Sequence, residues 1–235
     1  MLAGGSVRTM SAAQSPTVPD LPGISSAKRR QIMDGAARVF AEHGYEGASM
    51  SQIARDAGVS KGTLYNYYDS KASLFAAFIE ECACEKLPNL FETIGEAQSP
   101  EATLEDIATA MIRLTTSPLS LMLNRIVVSE AATFPHLAET FWQVGPCKAV
   151  GILADWLRAR TREGILDVPD PELAAELFYA LCQTRITWRK RLQLPVDAGP
   201  AQVAMIARSV TRMFLNTFQV GKGPPVPESV RDESV

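Results

Sequence analysis

The chain has 235 residues, of which 46% are hydrophobic and 21% charged, and its formal net charge at pH 7 is −3. This composition excludes a wholly disordered protein and allows one large domain or a small domain beside a larger one. No uncharged apolar run reaches the ~18–20 residues of a membrane span, and the N-terminus lacks the apolar stretch of a signal peptide. We therefore expect a cytoplasmic protein without a membrane partner.

The spacing of apolar residues is helical throughout. These residues recur three and four positions apart, and β-branched residues are scattered rather than alternating, which predicts an all-α fold of about nine helices. Three helices are predicted to begin where a capping residue precedes proline, because the side-chain oxygen accepts an unpaired amide and proline lacks one. These starts are Ser99-Pro100, Ser117-Pro118 and Asp170-Pro171. The predicted helices lie near 26–43, 50–57, 61–67, 70–94, 100–116, 118–133, 135–162 (broken at Gly145-Pro146), 171–191 and 200–219.

Composition and charge divide the chain into segments. Residues 1–23 and 221–235 are rich in proline and small polar residues without periodicity, so both are predicted to be disordered. Residues 24–71 carry seven basic and five acidic side chains, a net charge of +2 that leaves −5 for the rest of the chain. A local positive bias of this kind is typical of phosphate binding, although a chance fluctuation remains an alternative.

A helix-turn-helix is the most informative motif. Ser49-Met50-Ser51-Gln52 fits a capping box at the start of a helix. Ala54 is small enough for a helix crossing, and Gly58 can adopt the positive φ that the turn requires. Ser60 then caps a short helix over 61–67. The motif predicts a helix-turn-helix domain over 24–71 and a larger helical domain over 72–220.

The outer face of this short third helix is suited to a DNA major groove, because it combines hydrogen-bond donors with aromatic rings. Its outward side chains are Lys61, Thr63, Tyr65, Asn66 and Tyr67. Lys71 opens the next helix, where its ammonium and the free amides are suited to a phosphate. An ordinary helical hairpin without DNA binding is the alternative interpretation of the same pattern.

The same stretch resembles a known family. Residues 32–75 are similar to the N-terminal domain of the TetR/AcrR family of bacterial transcriptional regulators, in the sequence IMDGAARVFAEHGYEGASMSQIARDAGVSKGTLYNYYDSKASLF. The family's hallmarks here are Gly44-Tyr45, Ile53-Ala54, Gly58-Val59-Ser60, Gly62-Thr63-Leu64-Tyr65 and Ser70-Lys71. Tyr67-Tyr68 departs from the family, which commonly has His then Phe. The region from Arg125 to Arg191 resembles the AefR-like C-terminal domain, in the stretch RIVVSEAATFPHLAETFWQVGPCKAVGILADWLRARTREGILDVPDPELAAELFYAL.

The resemblance implies a homodimer whose two heads bind a palindromic double-stranded DNA operator, usually as a repressor until a small ligand binds the larger domain. It implies base contacts by Lys61, Thr63, Tyr65 and Asn66. It implies contacts to the phosphate backbone by Ser49, Ser51, Tyr67 and Lys71. An activator is the alternative to a repressor.

The last predicted helix, 201–220, is apolar on nearly all sides and is therefore expected to be buried on two of them. Together with the helix from Pro171, it is predicted to form a four-helix interface across a two-fold axis. Packing within one chain is the alternative. The candidate interface residues are Leu173, Leu177, Leu181, Thr184, Val203, Ile206, Val210, Met213 and Phe214.

Aromatic and methionine residues of the larger domain are candidates for the lining of an effector pocket, since such side chains suit an apolar ligand. Ordinary core packing is the alternative for each. The candidates are Met111, Leu114, Met122, Ile126, Phe134, Phe141, Trp142, Trp156 and Phe178.

The sequence offers no catalytic or metal centre. It has no evident nucleophile–base pair and no CxxC or HExxH pattern, so we predict neither an enzyme nor a metal or cofactor. Thiol sensing by Cys82 or Cys84 is a minor alternative. An all-α carrier or enzyme with an incidental helix-turn-helix is the competing function.

Overall fold

The computed structural model describes residues 26–91 and 99–221, with side chains described for 26–83 and 99–221. The predicted disordered arm over 1–23, nearly all of the tail over 221–235 and the side chain of Cys84 lie outside these residues. The predicted all-α fold is confirmed: the described ranges contain eleven helices and, apart from one isolated bridge between Leu166 and Gln219, no β-structure. The helices are α1 (Ser26–Gly47), α2 (Met50–Asp56), α3 (Lys61–Tyr67), α4 (Lys71–Phe91), α5 (Pro100–Thr115), α6 (Pro118–Glu130), α7 (Pro135–Val144), α8 (Pro146–Arg162), α9 (Pro171–Cys182), α10 (Arg185–Arg191) and α11 (Pro200–Phe218).

The predicted helix starts are confirmed by their hydrogen bonds. The side chain of Ser99 accepts the amide of Ala102, and that of Ser117 accepts the amide of Ser120. Asp170 accepts two amides at the start of α9. Each cap is followed by proline in the first turn, as predicted.

Two predicted helices are each divided in two. The division between α7 and α8 falls at Gly145, where the sequence indicated a break. The division between α9 and α10 falls at Gln183 and Thr184, which the sequence analysis placed inside one helix. There the hydroxyl of Thr184 donates to the carbonyl of Leu181 at 3.0 Å, a local bond that competes with the helical ladder.

The buried side chains form two clusters. The head cluster joins α1–α4 to α6 and α7 around Phe40, Phe75 and Ile126. The body cluster joins α5 and α8–α11 around Phe178 and Phe214. The head cluster includes α6 and α7, so it contains residues on both sides of position 71. The predicted domain boundary at position 71 stays a prediction. Among the described helices, none is both long and apolar enough to cross a membrane.

Candidate functional site

The start of α2 has the predicted capping arrangement, with one difference. The hydroxyl oxygen of Ser49 accepts the backbone amide of Gln52 at 3.3 Å. The side chain of Gln52 reaches back, but its oxygen accepts a hydrogen bond of 2.6 Å from the Ser49 hydroxyl instead of approaching the Ser49 amide. Ser49 and Ser51 are both exposed at this end of the helix.

The turn between α2 and α3 depends on Gly58. Its φ is 63°, which confirms the predicted left-handed conformation. The amide of Val59 returns to the carbonyl of Ala54 at 2.9 Å, and the side-chain amide of Gln31 donates to the carbonyl of Ala57 at 2.5 Å. The turn is therefore bonded both to α2 and to α1.

A second glycine, Gly35, sets the distance between α1 and this turn. A Cβ atom at position 35 would lie 2.7 Å from the Cβ of Ala57 and 2.8 Å from its backbone nitrogen, so only glycine fits. The sequence pattern predicted the close crossing at Ala54 and no role for Gly35. The sequence does contain a signal for the role of Gly35. Glycine inside a regular helix is unfavourable by about 1 kcal/mol relative to alanine, so its presence there indicates a packing constraint.

Helix α3 is anchored on one side and open on the other. Ser60 accepts the amide of Thr63 at 2.9 Å, and Leu64 is fully buried in the head cluster. On the opposite side Lys61, Tyr65 and Asn66 are exposed, Tyr65 by 48%. Five predicted contact residues thus lie at the exposed surface of one small unit: these three with Ser49 and Ser51.

Two of the remaining predicted contact residues are less open. Thr63 is half-buried, and its hydroxyl lies 2.8 Å from that of Ser60. Tyr67 is half-buried against Tyr68, with ring centroids 6.3 Å apart, and both pack on the head cluster. Burial against this cluster raises the pKa of Tyr68.

Lys71 binds the end of α1 and the loop before α2. Its ammonium donates to the carbonyl oxygens of Tyr45 at 2.6 Å, Glu46 at 3.1 Å and Ala48 at 2.9 Å, and lies 4.5 Å from the ring centroid of Tyr45. These bonds engage all three N–H donors, and burial lowers the pKa of Lys71. A phosphate contact requires the ammonium to release one carbonyl, so the predicted contact of Lys71 stays a prediction.

The charges of this surface favour an anionic partner. The acid of α2, Asp56, is paired with Arg38 at 2.7 Å, and α3 contains no acid. Arg55 and Lys61 have no carboxylate within 4.0 Å among the residues that the structure describes. The exposed side of α2 and α3 therefore presents unpaired positive charge beside hydroxyl and amide groups.

The nine candidate dimer residues fall into two groups. Val203, Ile206, Val210 and Phe214 are buried in the body cluster of their own chain and are not available to a second subunit. Leu173 and Leu177 are each 51% exposed and Met213 is 58% exposed, while Thr184 is exposed and Leu181 half-buried. Helical periodicity alone does not distinguish the side of α11 that covers its own core from the side left open.

The nine candidate pocket residues do not lie in one place. The body cluster contains Met111 and Phe178, with Leu114 and Trp156 packed against it. The head cluster contains Ile126, with Met122, Phe134 and Phe141 packed against it, whereas Trp142 is 50% exposed. Met122 lines a cleft of about 420 Å³, and the other eight line neither this cleft nor a smaller cavity of about 170 Å³ between α5 and α11.

A metal centre finds no support in the parts of the chain that are described, where no group of three or more His, Cys, Asp or Glu side chains is suited to hold an ion. Of the cysteines with described side chains, Cys182 is buried, Cys82 is half-buried and Cys147 is exposed.

Two family models match the chain. Residues 32–78 match "Bacterial regulatory proteins, tetR family", and residues 102–220 match "AefR-like transcriptional repressor, C-terminal domain". The chain belongs to the TetR family of bacterial regulators. The first match has nearly the same bounds as the segment 32–75, and the second contains the region 125–191 and extends beyond it on both sides. The resemblance to this family is confirmed.

Solved structures with the same architecture include two regulators. A transcriptional regulator from Mesorhizobium loti superposes with a TM-score of 0.75 at 24% identity, over 83% of this chain and 98% of that one. The flavonoid-responsive regulator FrrA superposes with a TM-score of 0.70 at 27% identity, over 84% of this chain and all of the other.

Among curated proteins, the chain is similar to the HTH-type transcriptional repressor AcnR of Corynebacterium diphtheriae, at 41% identity over 58 residues. That match covers 25% of this chain and 30% of the relative. The matched segments span less than half the length of the curated relatives.

Proposed function

We propose that this TetR-family protein is a homodimeric DNA-binding repressor that leaves a palindromic operator when a small apolar ligand binds. The observation that carries the proposal is the exposed face of α3. A short helix with one fully buried leucine, three exposed polar or aromatic side chains and no acid is suited to enter a major groove.

The side chains near this face are assigned to different parts of the DNA. Lys61 and Asn66 offer donors to base edges, Asn66 also accepts, and Tyr65 and Thr63 brace them. The exposed N-terminus of α2, with Ser49 and Ser51, is assigned to the phosphate backbone, because free amides and hydroxyls bind phosphate without reading sequence. Tyr67 is assigned there as well.

Lys71 serves this arrangement by holding the loop that carries Ser49. Since its carbonyl partners are Tyr45 and Glu46 at the end of α1 and Ala48, next to Ser49, replacing Lys71 shifts the phosphate-binding end of α2. We expect Lys71→Ala to weaken binding to all DNA sequences to a similar degree, because a phosphate-side contact carries no base preference.

The dimer is proposed to form through the open sides of α9 and α11. Leu173 and Leu177 on α9 and Met213 on α11 are large apolar side chains exposed in the single chain, and a second copy related by a two-fold axis would cover them. Such a dimer presents two α3 helices to successive major grooves when their separation is about 34–36 Å. Leu181 and Thr184 border this surface.

Release is proposed to be a shift between two arrangements of the heads. A ligand that binds more tightly to the arrangement in which the two α3 helices do not match successive major grooves lowers the operator affinity. The reduction is at most the ratio of the ligand's affinities for the two arrangements. The similarity to a flavonoid-responsive regulator supports a small-molecule effector, and the nine candidate pocket residues remain candidates for its apolar contacts.

Selection of duplexes from a random pool, followed by anisotropy titration, tests the proposal. We expect an inverted repeat to be enriched. Lys61→Ala is expected to lower its affinity by about tenfold or more, because the side chain is lost at the recognition face. Lys148→Ala is the matched control, since it removes an exposed lysine on α8. Equal affinities of both variants, or no salt-dependent DNA binding, would favour the competing carrier or enzyme.

Direction of control is tested in a reporter strain. A promoter carrying the selected inverted repeat is expected to be repressed by the wild-type chain and released in the Lys61→Ala variant. Activation by the wild-type chain would contradict the repressor assignment and leave DNA binding intact.

A further inference from the structure

A cleft between α1, α6 and α10 combines a lipophilic floor with a basic rim. Its volume is about 420 Å³, which lies in the ~300–1,000 Å³ range of small-molecule sites. Leu119, Leu121 and Met122 of α6 provide apolar surface. Arg125 of α6 and Lys190 and Arg191 of α10 provide three positive charges. We call this site the α6–α10 cleft.

Among the residues that the structure describes, no carboxylate lies within 4.0 Å of any of these three cations. Their hydrogen bonds to backbone are long. Arg125 donates to the carbonyl of Ala41 at 3.3 Å, and Lys190 donates to the carbonyl of Thr116 at 3.4 Å. Both distances exceed the usual ~2.7–3.2 Å, so these donors are available to a better acceptor.

Arg191 carries the clearest sign of a missing partner. One terminal nitrogen donates to the side chain of Gln183 at 2.8 Å, and the guanidinium lies 5.6 Å from the ring centroid of Trp188. Its Nε is buried and has no hydrogen-bond partner, and burial lowers the pKa of Arg191. A half-buried guanidinium without a carboxylate is unfavourable unless an anion joins it.

We propose that the α6–α10 cleft binds an anionic amphiphile, whose carboxylate or phosphate pairs with Lys190, Arg191 and Arg125 and whose apolar part lies on Leu119, Leu121 and Met122. The charge selects an anion over a neutral ligand, because oxygen anions form charge-assisted hydrogen bonds with ammonium and guanidinium groups. The apolar floor selects an amphiphile over a free inorganic anion, because only the amphiphile buries this surface.

The location of the cleft gives the ligand a route to the head. Arg125 bonds to the carbonyl of Ala41 in α1, and an anion in the cleft competes for that guanidinium. Loss of the bond removes one of the contacts between α6 and α1. This regulatory part rests on the proposed function, and we expect the amphiphile to weaken operator binding.

Calorimetric titration of the whole chain tests the binding part. The probes are decanoate, 1-decanol and inorganic phosphate. We expect decanoate to bind at least about tenfold more tightly than either of the others, since a charge-assisted bond is worth about that factor. The double variant Lys190→Met/Arg191→Met is expected to lose decanoate affinity by about tenfold or more. Arg189→Met is the matched control, because Arg189 lies on the same helix, donates to the carbonyl of Pro195 and does not line the cleft.

Circular dichroism shows whether the double variant is folded. Arg125→Met is a second variant, at an exposed position, and is also expected to bind decanoate less tightly. Equal binding of decanol and decanoate, or equal loss in the Arg189→Met control, would overturn the proposal. Decanoate binding that leaves DNA affinity unchanged overturns the regulatory part alone. Decanoate binding by a chain that does not bind DNA overturns the proposed function and supports the cleft.

Discussion

Replacing Gly35 with alanine gives a direct test of how the helix-turn-helix is assembled. The added Cβ would lie 2.7 Å from the Cβ of Ala57 and 2.8 Å from its backbone nitrogen, so α1 and the turn must move apart. Overpacking of this kind costs about 1–3 kcal/mol. Alanine recovers about 1 kcal/mol because it is the better helix former. We therefore expect the free energy of unfolding to fall by up to about 2 kcal/mol.

Gly151 offers the matched control. It lies inside α8 and is exposed, and a Cβ placed there meets no atom within 4 Å. Gly151→Ala is expected to raise the free energy of unfolding by about 0.5–1 kcal/mol, because helix propensity improves without a clash. The two substitutions are chemically identical, so a difference in sign reports packing alone.

Urea denaturation followed by circular dichroism measures both variants at one protein concentration, because self-association contributes to apparent stability. DNA affinity is measured by anisotropy on the selected inverted repeat. We expect Gly35→Ala to bind DNA less tightly, since Ala57 belongs to the turn that positions α3, and Gly151→Ala to bind as the wild type does. A Gly35→Ala variant that is as stable as Gly151→Ala and binds DNA normally would refute the close contact.

Three further changes test other parts of the molecule. Leu177→Glu is expected to shift the proposed dimer to monomer in sedimentation velocity, because it places a charge in the interface. Leu192→Glu is the control and is expected to leave the dimer intact, since Leu192 is exposed but lies outside α9 and α11. A dimeric Leu177→Glu protein would count against the proposed interface. Tyr179→Phe is expected to lower the free energy of unfolding by about 1 kcal/mol in urea titrations, because a buried hydrogen bond of 2.9 Å to the carbonyl of Ala149 is lost; an unchanged value would show that this bond contributes no stability. Cys147 is expected to react with iodoacetamide at pH 8, whereas Cys182 is expected to react only after unfolding, because the thiolate is the nucleophile and burial raises the pKa of Cys182 to about 12. Peptide mass spectrometry distinguishes the two labelled cysteines. Labelling of Cys182 in the native protein would contradict its burial.

The features that the sequence could predict are those fixed by a few neighbouring residues. The caps at Ser99, Ser117 and Asp170 each need one side chain, one proline and the next turn of helix, all of which lie within four residues. The conformation of Gly58 is local in the same sense, because its positive φ depends on the absence of a Cβ atom at that residue.

The features that could not be predicted depend on residues far apart in the chain. The ammonium of Lys71 is bound by carbonyl groups more than twenty positions earlier, and no pattern around Lys71 announces them. The contact of Gly35 with Ala57 is similar, since it exists only once α1 and α2 have crossed. A sequence shows that Lys71 is positively charged and near a helix start, which suggests a phosphate, but not that its three donors are already engaged.

Helix α6 connects these observations to regulation. Leu123, Ile126 and Val127 bury its inner side in the head cluster and not in the body cluster. At its C-terminal end, the side chain of Glu130 accepts the amide of Glu46 at 3.2 Å, and the carbonyl of the same residue accepts a hydrogen bond from Lys71. Its other end borders the α6–α10 cleft. Because α6 packs against α1 within the head cluster, we expect a ligand that displaces this helix to move the loop before α2. Such a ligand would change the operator contacts without unfolding the larger domain.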